Sequence, residues 1–281
     1  MGEAHGFEIF DIHQHMGSTA DAHGFATEGA VVSGANAQEL AARLKFMDRA
    51  GIGATVAIPG HNYNRSAGVA STAAENDAIA AYRDATPGRF PVAVGVIEPL
   101  DQAAAVQEVV RIHQELGLKG VSFHTEFQGV TIDSPWMMKI LEKMFDLKMV
   151  PLIHTSNVVL HEALWRLGKV ARAFPGETIV ALEPFFTFDG MQECFFIADV
   201  APNVLFDTAS CFHTDLAIEL ARQFGAERIV YGSQYYSQLK PNERAFVKNA
   251  VVRDDIIATE RLSREQKQLI LAGNTKRVFG L

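Results

Sequence analysis

Several features that define large classes of protein are scarce in this sequence of 281 residues. Its two cysteines, Cys194 and Cys211, form no paired-ligand motif and are too few for a disulfide framework. No stretch approaches the roughly 20 uninterrupted apolar residues that span a bilayer. We therefore expect reduced, buried thiols and no association with a membrane.

Clustered positive charge is also lacking. The chain carries 25 Lys and Arg against 33 Asp and Glu, which gives a formal net charge of −8. A nucleic-acid surface needs concentrated positive charge to displace counterions, so we expect no nucleic-acid partner. The first residues include acidic side chains where a signal peptide requires a basic region. We therefore expect a cytoplasmic protein.

What the sequence does contain is an alternation of short apolar runs and longer amphipathic segments. The runs are apolar on both sides, which is typical of parallel strands covered by helices. In the longer segments, apolar residues return every three or four positions, the period of a helix. The predicted strands are Phe7–His13, Ala54–Ile58, Phe90–Ile97, Lys119–His124, Val150–His154, Thr178–Glu183, Val204–Asp207 and Arg228–Gly232. The predicted helices include Ala37–Ala50, Thr72–Ala85, Gln102–Leu116, Ser134–Leu147 and Val158–Phe174.

This alternation predicts an α/β protein with a (β/α)8 TIM barrel, formed by residues 1–281 as a single domain. An open doubly wound sheet is the structural alternative. Such a sheet normally carries a glycine-rich phosphate loop after its first strand. Here the first strand ends in Asp-Ile-His-Gln-His instead, which favours the barrel.

Polar side chains follow the C-terminal ends of the predicted strands. In an α/β barrel, catalytic residues come from this end of several strands. A polar group at the end of an apolar run loses hydration energy unless it has a partner, so packing alone is a poor explanation for the series. In chain order, these residues are His13, His15, Glu98, His124, His154, Glu183, Asp207 and Gln234.

The pair His13 and His15 is the most informative local pattern. Residues two apart on a strand point to the same side, so both imidazoles can face the end of the barrel and bind one cation. Two histidines at a surface turn would produce the same pattern by chance. Asp11 and Gly17 on either side favour the metal site, because Asp11 can accept a hydrogen bond that fixes either a ligand imidazole or the end of the strand.

With these residues in place, the sequence resembles the amidohydrolase superfamily, in particular the branch of aminocarboxymuconate semialdehyde decarboxylase and "amidohydrolase 2" proteins. Its Asp-Ile-His-Gln-His segment is similar to the D-x-H-x-H motif on that family's first strand. The similarity extends along almost the whole chain. The matching segments are Phe10–His15, Glu75–Asp77, Pro87–Phe90, Gly117–His124, Val150–Thr155, Asn203–Thr208 and Ile270–Phe279.

The resemblance implies a divalent metal, commonly zinc, held by two histidines of the first strand, one of the fifth and an aspartate of the eighth. The first three positions correspond to His13, His15 and His154. The other two catalytic positions differ. Glu183 stands where the family has its sixth-strand histidine, and Gln234 stands where it has the aspartate.

These two replacements leave three hypotheses open. Glu183 can supply the missing carboxylate, as a metal ligand together with His13, His15 and His154 or as a general base. Alternatively, the site works without metal, as a lyase, isomerase or hydratase that uses Glu183 and the histidines. In the third hypothesis, the barrel has lost catalysis and binds a small molecule. Gln234 is neutral, so we expect it to position the substrate or water.

Four further residues are predicted to bind the substrate. His124 lies at the end of the fourth strand and Tyr235 follows the eighth, while His61 and Arg65 belong to a loop rich in hydrogen-bond donors. An arginine in such a loop can hold a carboxylate in a bidentate contact. We therefore predict a metal-dependent enzyme that hydrolyses or decarboxylates a small carboxylate-bearing ester, lactone, amide or aromatic acid. Zinc is the expected metal, with manganese or none as alternatives, and the chain can form a homo-oligomer.

Overall fold

The fold is built around eight parallel strand segments. A computed structural model of the chain describes residues 3–4, 6–18, 37–60, 67–237 and 243–281. The third segment consists of two short strands on either side of Val94, and the eighth of two short strands with four residues between them. The strands are β1 (Phe10–Ser18), β2 (Ala54–Ile58), β3 (Val92–Ala93 and Gly95–Val96), β4 (Gly120–Phe123), β5 (Val150–His154), β6 (Ile179–Leu182), β7 (Val204–Asp207) and β8 (Ile229–Val230 and Tyr235–Ser237).

Each strand pairs in parallel with its neighbours, and backbone hydrogen bonds close the circle. At β3, Val94 donates to Ala57 of β2, and the next two residues, Gly95 and Val96, pair with β4. At β8, Ile12 donates to the carbonyl of Tyr231 at 2.9 Å, and Gln234 donates to the carbonyl of His13 at 2.8 Å. The chain therefore forms a (β/α)8 barrel, and the predicted fold class is confirmed. The assignment of residues 1–281 to one domain stays a prediction.

Helices surround the strands. Strands β2, β5 and β7 and the first helix begin and end where the sequence predicts. The fifth helix begins later than predicted, because a short 3-10 helix, Leu160–Glu162, precedes it and Ala163 has an extended backbone. The helices are α1 (Ala37–Ala50), α2 (Val69–Ala85), α3 (Ala103–Gln114), α4 (Pro135–Asp146), α5 (Leu164–Ala173), α6 (Phe188–Val200), α7 (Thr214–Phe224), α8 (Glu243–Ala258), α9 (Arg264–Gln268) and α10 (Asn274–Phe279).

Apolar side chains pack in two layers, one inside the barrel and one between strands and helices. Alternate residues on a strand face the same side, and the inner layer takes such alternate residues as Val92 and Val94 or Val150 and Leu152. His154 continues the inward series of β5 beyond Leu152. It therefore faces the axis at the C-terminal end of the strands, here called the mouth of the barrel.

In β1, a bulge changes which residues face inward. Asp11 pairs with Thr55 and Gln14 with Ala57, so two residues of β1, Ile12 and His13, stand opposite a single residue of β2. The extra residue shifts the alternation of inward- and outward-facing side chains by one position. Ile12 belongs to the inner apolar layer, and His13 and His15 face the axis above it.

The C-terminal segment closes the opposite end of the barrel. Phe279 belongs to the inner apolar layer, and Val278 packs against this layer together with Ala54, the first residue of β2. None of the helices in the described part of the chain is long and apolar enough to cross a membrane.

Removing the Phe279 ring tests this closure. Phe279 is 8% exposed and Leu281, two residues later, is 60% exposed. We expect Phe279→Ala to lower the free energy of unfolding by about 3 kcal/mol, because the truncation leaves a cavity among the inner side chains. Leu281→Ala should change it by less than about 0.5 kcal/mol. Equal effects in denaturant titrations would show that Phe279 does not close the barrel.

Candidate metal centre and its surroundings

Three buried imidazoles meet at the mouth of the barrel. His13 and His15 come from β1 and His154 from the end of β5, and one nitrogen from each lies within 4.8 Å of the others. The Nε2 atoms of His13 and His15 are 2.8 Å apart. The rings of His15 and His154 are stacked, with centroids 5.5 Å apart. These are three of the four residues that the sequence analysis predicts as metal ligands, and Glu183 is the fourth.

The other ring nitrogens of His13 and His15 contact oxygen atoms. Nδ1 of His13 is 2.6 Å from Oδ2 of Asp207 at the end of β7, and Nδ1 of His15 is 2.8 Å from the carbonyl oxygen of Pro59 after β2. An oxygen acceptor favours the tautomer with the proton on Nδ1, so that Nε2 of both rings is left as a ligand atom. The two Nε2 lone pairs then face each other, and a cation or a shared proton relieves their repulsion.

The protonation of the three rings follows from their surroundings. Burial lowers the pKa of His15 and His154 well below 6.5, and in each case the charge of a neighbouring histidine lowers it further. The neutral imidazole is the form that binds metal. Burial also acts to lower the pKa of His13, but the charge and hydrogen bond of Asp207 outweigh it and raise the pKa. Of the two rings of β1, His13 therefore holds a proton more readily than His15.

Behind β1, a buried polar network holds this strand against β8 and α1. Asp11 accepts hydrogen bonds from the backbone N–H groups of His13 at 2.9 Å and Ser233 at 3.0 Å. Gln14 donates to the same carboxylate and accepts a hydrogen bond from Arg43 of α1. Burial raises the pKa of Asp11 to about 6, although hydrogen bonds from Ser233, Gln14 and His13 oppose the shift. Asp11 thus orients the backbone of His13, whereas Asp207 contacts its ring.

The two residues that replace the expected histidine and aspartate are connected through Ser210. Glu183 Oε2 lies 3.6 Å from Nδ1 of His154, and the Ser210 hydroxyl is 3.3 Å from Glu183 Oε1. The same hydroxyl forms a short hydrogen bond with Gln234 Oε1. The Ser210 hydroxyl has one proton and can donate to only one acceptor at a time. The other of its two hydrogen bonds therefore needs a hydrogen from the Gln234 amide or from a protonated Glu183.

Glu183, Ser210 and Gln234 all have a left-handed backbone, with φ of 57°, 54° and 54° respectively. This conformation is uncommon for residues with a side chain and costs about 1–3 kcal/mol per residue. It persists only where contacts of the surrounding structure impose it. In all three, the chain turns sharply after a strand or within β8. The turns bring the three side chains together beside His154.

A second polar cluster lies on the other side of His154. The His124 ring stacks on the His154 ring at a centroid distance of 4.3 Å and contacts the Phe127 ring, also at 4.3 Å. Nδ1 of His124 lies 2.6 Å from Oε1 of the buried Glu162. With Glu126, these two residues form a second group that could hold a cation.

The structure differs from the sequence analysis at several predicted site residues. Glu183 lies outside the group of ligand atoms that His13, His15 and His154 form, and it contacts only His154 of the three. Tyr235 does not reach the mouth, since its ring stacks on Phe46 of α1 at 3.7 Å. Its neighbour Tyr236 is the residue that stacks on His15, at 4.6 Å. His61 and Arg65 lie outside the described residues.

The error at Tyr235 follows from strand geometry. Tyr235 pairs with Gln14, which faces α1, and Tyr236 pairs with His15, which faces the axis. Alternation along a strand therefore excludes Tyr235 from the mouth and admits Tyr236. The sequence analysis also missed Ser210 and Glu162. Both lie in connections after strands, where the sequence has no periodic pattern that predicts which way a side chain points.

The fold is shared with several enzymes of known structure. One is a 4-oxalomesaconate hydratase from Rhodopseudomonas palustris, with 18% identity, a TM-score of 0.71, and coverage of 97% of this chain and 95% of that one. Another is a 5-carboxyvanillate decarboxylase from Novosphingobium aromaticivorans in complex with manganese and 4-hydroxy-3-methoxy-5-nitrobenzoic acid, with 16% identity, a TM-score of 0.72, and coverage of 98% and 97%. A third is a 2,6-dihydroxybenzoate decarboxylase from Rhizobium, with 16% identity, a TM-score of 0.70, and coverage of 98% and 99%.

Sequence comparisons give two further results. A comparison with curated proteins found no match. The family model described as amidohydrolase matches residues 10–281, which is nearly the whole chain and includes all eight strands of the barrel. The chain therefore belongs to the amidohydrolase family.

Proposed function

We propose that this chain is a divalent-metal-dependent enzyme that decarboxylates a small aromatic carboxylate. The observation that carries the proposal is the three-histidine cluster, in which His13 and His15 direct Nε2 toward each other. Family membership supports an enzyme, and two of the structurally similar proteins are decarboxylases of hydroxylated benzoates.

The donor set fits a divalent cation. Three neutral imidazoles are a common ligand set for zinc, and they also suit manganese. The contacts of His13 with Asp207 and of His15 with Pro59 are those that orient ligand histidines. A bound cation would replace the proton between His13 and His15 and would supply a positive charge to hold and polarise the substrate carboxylate. Glu183 stands beside His154, and we propose that it acts on protons instead of completing the ligand set.

The two replacements favour decarboxylation over hydrolysis. Hydrolysis requires a base that takes a proton from water, and the Gln234 amide is not basic. Decarboxylation instead requires an acid at the carbon that loses CO2. In that step the bond to the carboxylate breaks, its electron pair stays on the ring carbon, and that carbon takes a proton. We propose that Glu183 delivers the proton and recovers it from solvent, since the side chain is 15% exposed.

The first test of this proposal is metal binding. We expect purified protein supplied with Zn²⁺ or Mn²⁺ to retain about one ion per chain. His15→Ala should abolish the retention, because it removes one of three ligands and the partner of His13. His213→Ala is the matched control, since His213 is an exposed histidine before α7 and does not belong to the three-histidine group. Wild-type protein without retained metal in elemental analysis would favour the metal-free acid–base enzyme.

The second test is the role of Glu183. With the metal-loaded protein and a panel of hydroxylated benzoates, we expect Glu183→Gln to reduce CO2 release by about 10²–10⁴-fold, the usual effect of losing a general acid. Gln234→Ala should reduce it less. Glu177→Gln makes the same chemical change before the start of β6, at the opposite end of the barrel, and should have no effect. Full activity of Glu183→Gln would contradict the proposed role.

A third variant, Gln234→Asp, separates the two reactions. The new carboxylate and Glu183 would both contact the Ser210 hydroxyl. Two negative charges so close to each other repel, and we expect the rate of decarboxylation to fall. If the site is hydrolytic, the same variant should gain activity on esters, lactones or amides. That gain, measured on a panel of these compounds, would contradict decarboxylation. A barrel that turned over no member of either panel would be a binding protein.

A further inference from the structure

The side of the mouth opposite Glu183 has a polar pair that the proposed reaction does not use. His124 directly follows β4, and Glu162 belongs to the 3-10 helix in the connection after β5. Oε1 of Glu162 accepts a hydrogen bond from the backbone N–H of Glu126 at 3.1 Å, and it lies 2.6 Å from Nδ1 of His124. The position of the carboxylate is therefore fixed by the backbone as well as by the imidazole.

The connections that contain this pair are also joined to each other. Thr125 donates through its hydroxyl to the carbonyl of His161 at 3.2 Å, and Ile132 donates to the same carbonyl, also at 3.2 Å. Ser156 donates to the carbonyl of Glu162 at 2.8 Å. The two hydrogen bonds to the His161 carbonyl join the connection after β4 to the connection after β5, and the third lies within the connection after β5. The joined connections hold the His124 ring beside His154.

Among the four histidines at the mouth, His124 is the most accessible. The side chains of His13, His15 and His154 are at most 2% exposed, whereas that of His124 is 12% exposed. Its Nδ1 atom is buried against Glu162, so the exposed part belongs to the rest of the ring. Nδ1 of the ring faces the Glu162 carboxylate, and the Nε2 atom of an imidazole forms a hydrogen bond with a hydroxyl group either as acceptor or as donor.

We propose that His124 forms a hydrogen bond with a hydroxyl group on the substrate ring, and that Glu162 is a positioning residue that fixes the orientation of the imidazole. This inference rests on the proposed function, because it assigns the hydroxyl to the compound whose carboxylate meets the three histidines. The substrate class is then a hydroxylated aromatic carboxylate. The exposed Phe127 ring lies beside His124.

The test compares binding of benzoate with binding of 2-, 3- and 4-hydroxybenzoate to the Mn²⁺-loaded protein by calorimetry. We expect one hydroxybenzoate to bind at least about tenfold more tightly than benzoate, because a site that hydrogen-bonds a hydroxyl discriminates against a ligand that lacks it. His124→Phe should abolish this preference while the ring still stacks on His154. Glu162→Gln should reduce it, and Glu162→Asp should restore part of it.

Glu126→Gln is the control within the same cluster, because the Glu126 side chain is exposed and the proposal uses only its backbone. It should keep the hydroxyl preference. A loss in Glu126→Gln as large as in Glu162→Gln would overturn the proposal and indicate a cation held by all three residues. Equal binding of all four benzoates to the wild type, no binding of any, or a preference that survives in His124→Phe would also overturn it.

Metal analysis of the same samples distinguishes this failure from failure of the proposed function. A wild-type protein that retains Mn²⁺ but shows no hydroxyl preference loses the role of His124 and keeps the metal centre. A wild-type protein that retains no Mn²⁺ but prefers a hydroxybenzoate through His124 loses the metal-dependent mechanism and keeps the hydroxyl contact.

Discussion

The approach of two imidazole nitrogens to 2.8 Å at the mouth of the barrel is the constraint on which the site depends. Two neutral rings with lone pairs facing each other repel, so this contact persists only if something positive lies between them. Asp207 and the Pro59 carbonyl make the arrangement possible, because they hold the Nδ1 side of His13 and His15. The contact therefore requires three strands at once, since β1 supplies the rings and the ends of β7 and β2 supply the acceptors.

The same constraint explains the irregularity of β1. A regular strand cannot direct both Ile12 and His13 toward the axis, and the bulge opposite β2 permits it. Asp11 is then placed where it accepts hydrogen bonds from the backbone of His13 and Ser233, so the irregular segment also joins β1 to β8. Gln14 and Arg43 satisfy the remaining polar groups behind the strand. The polar network that lies outside the barrel thus stabilises the geometry inside it.

The site has a different character on the two sides of His154. On one side, Glu183, Ser210 and Gln234 form a chain of polar groups with strained backbone, suited to the movement of a proton. On the other side, His124 and Glu162 lie in two connections that are hydrogen-bonded to each other. A planar substrate with a carboxylate at the metal centre would lie between the two. Acid chemistry and recognition of the ring are then tasks of separate elements.

The sequence by itself determined the barrel and the identity of the three histidines. Apolar periodicity indicates strands and helices directly. Strands β2, β5 and β7 have the predicted bounds because burial on both faces leaves a strong pattern, and α1 has them because its buried residues recur with the helical period. His13, His15 and His154 follow apolar runs, and the resemblance to the family pointed to these three among the polar residues at strand ends. Tertiary structure decided which polar groups meet. Glu183 proved to contact only one of the three histidines, Tyr236 took the place expected of Tyr235, and Ser210 and Glu162 entered the site from connections. The physical reason is that a side chain in a turn is directed by backbone angles and by contacts between distant segments, and neither has a period in the sequence.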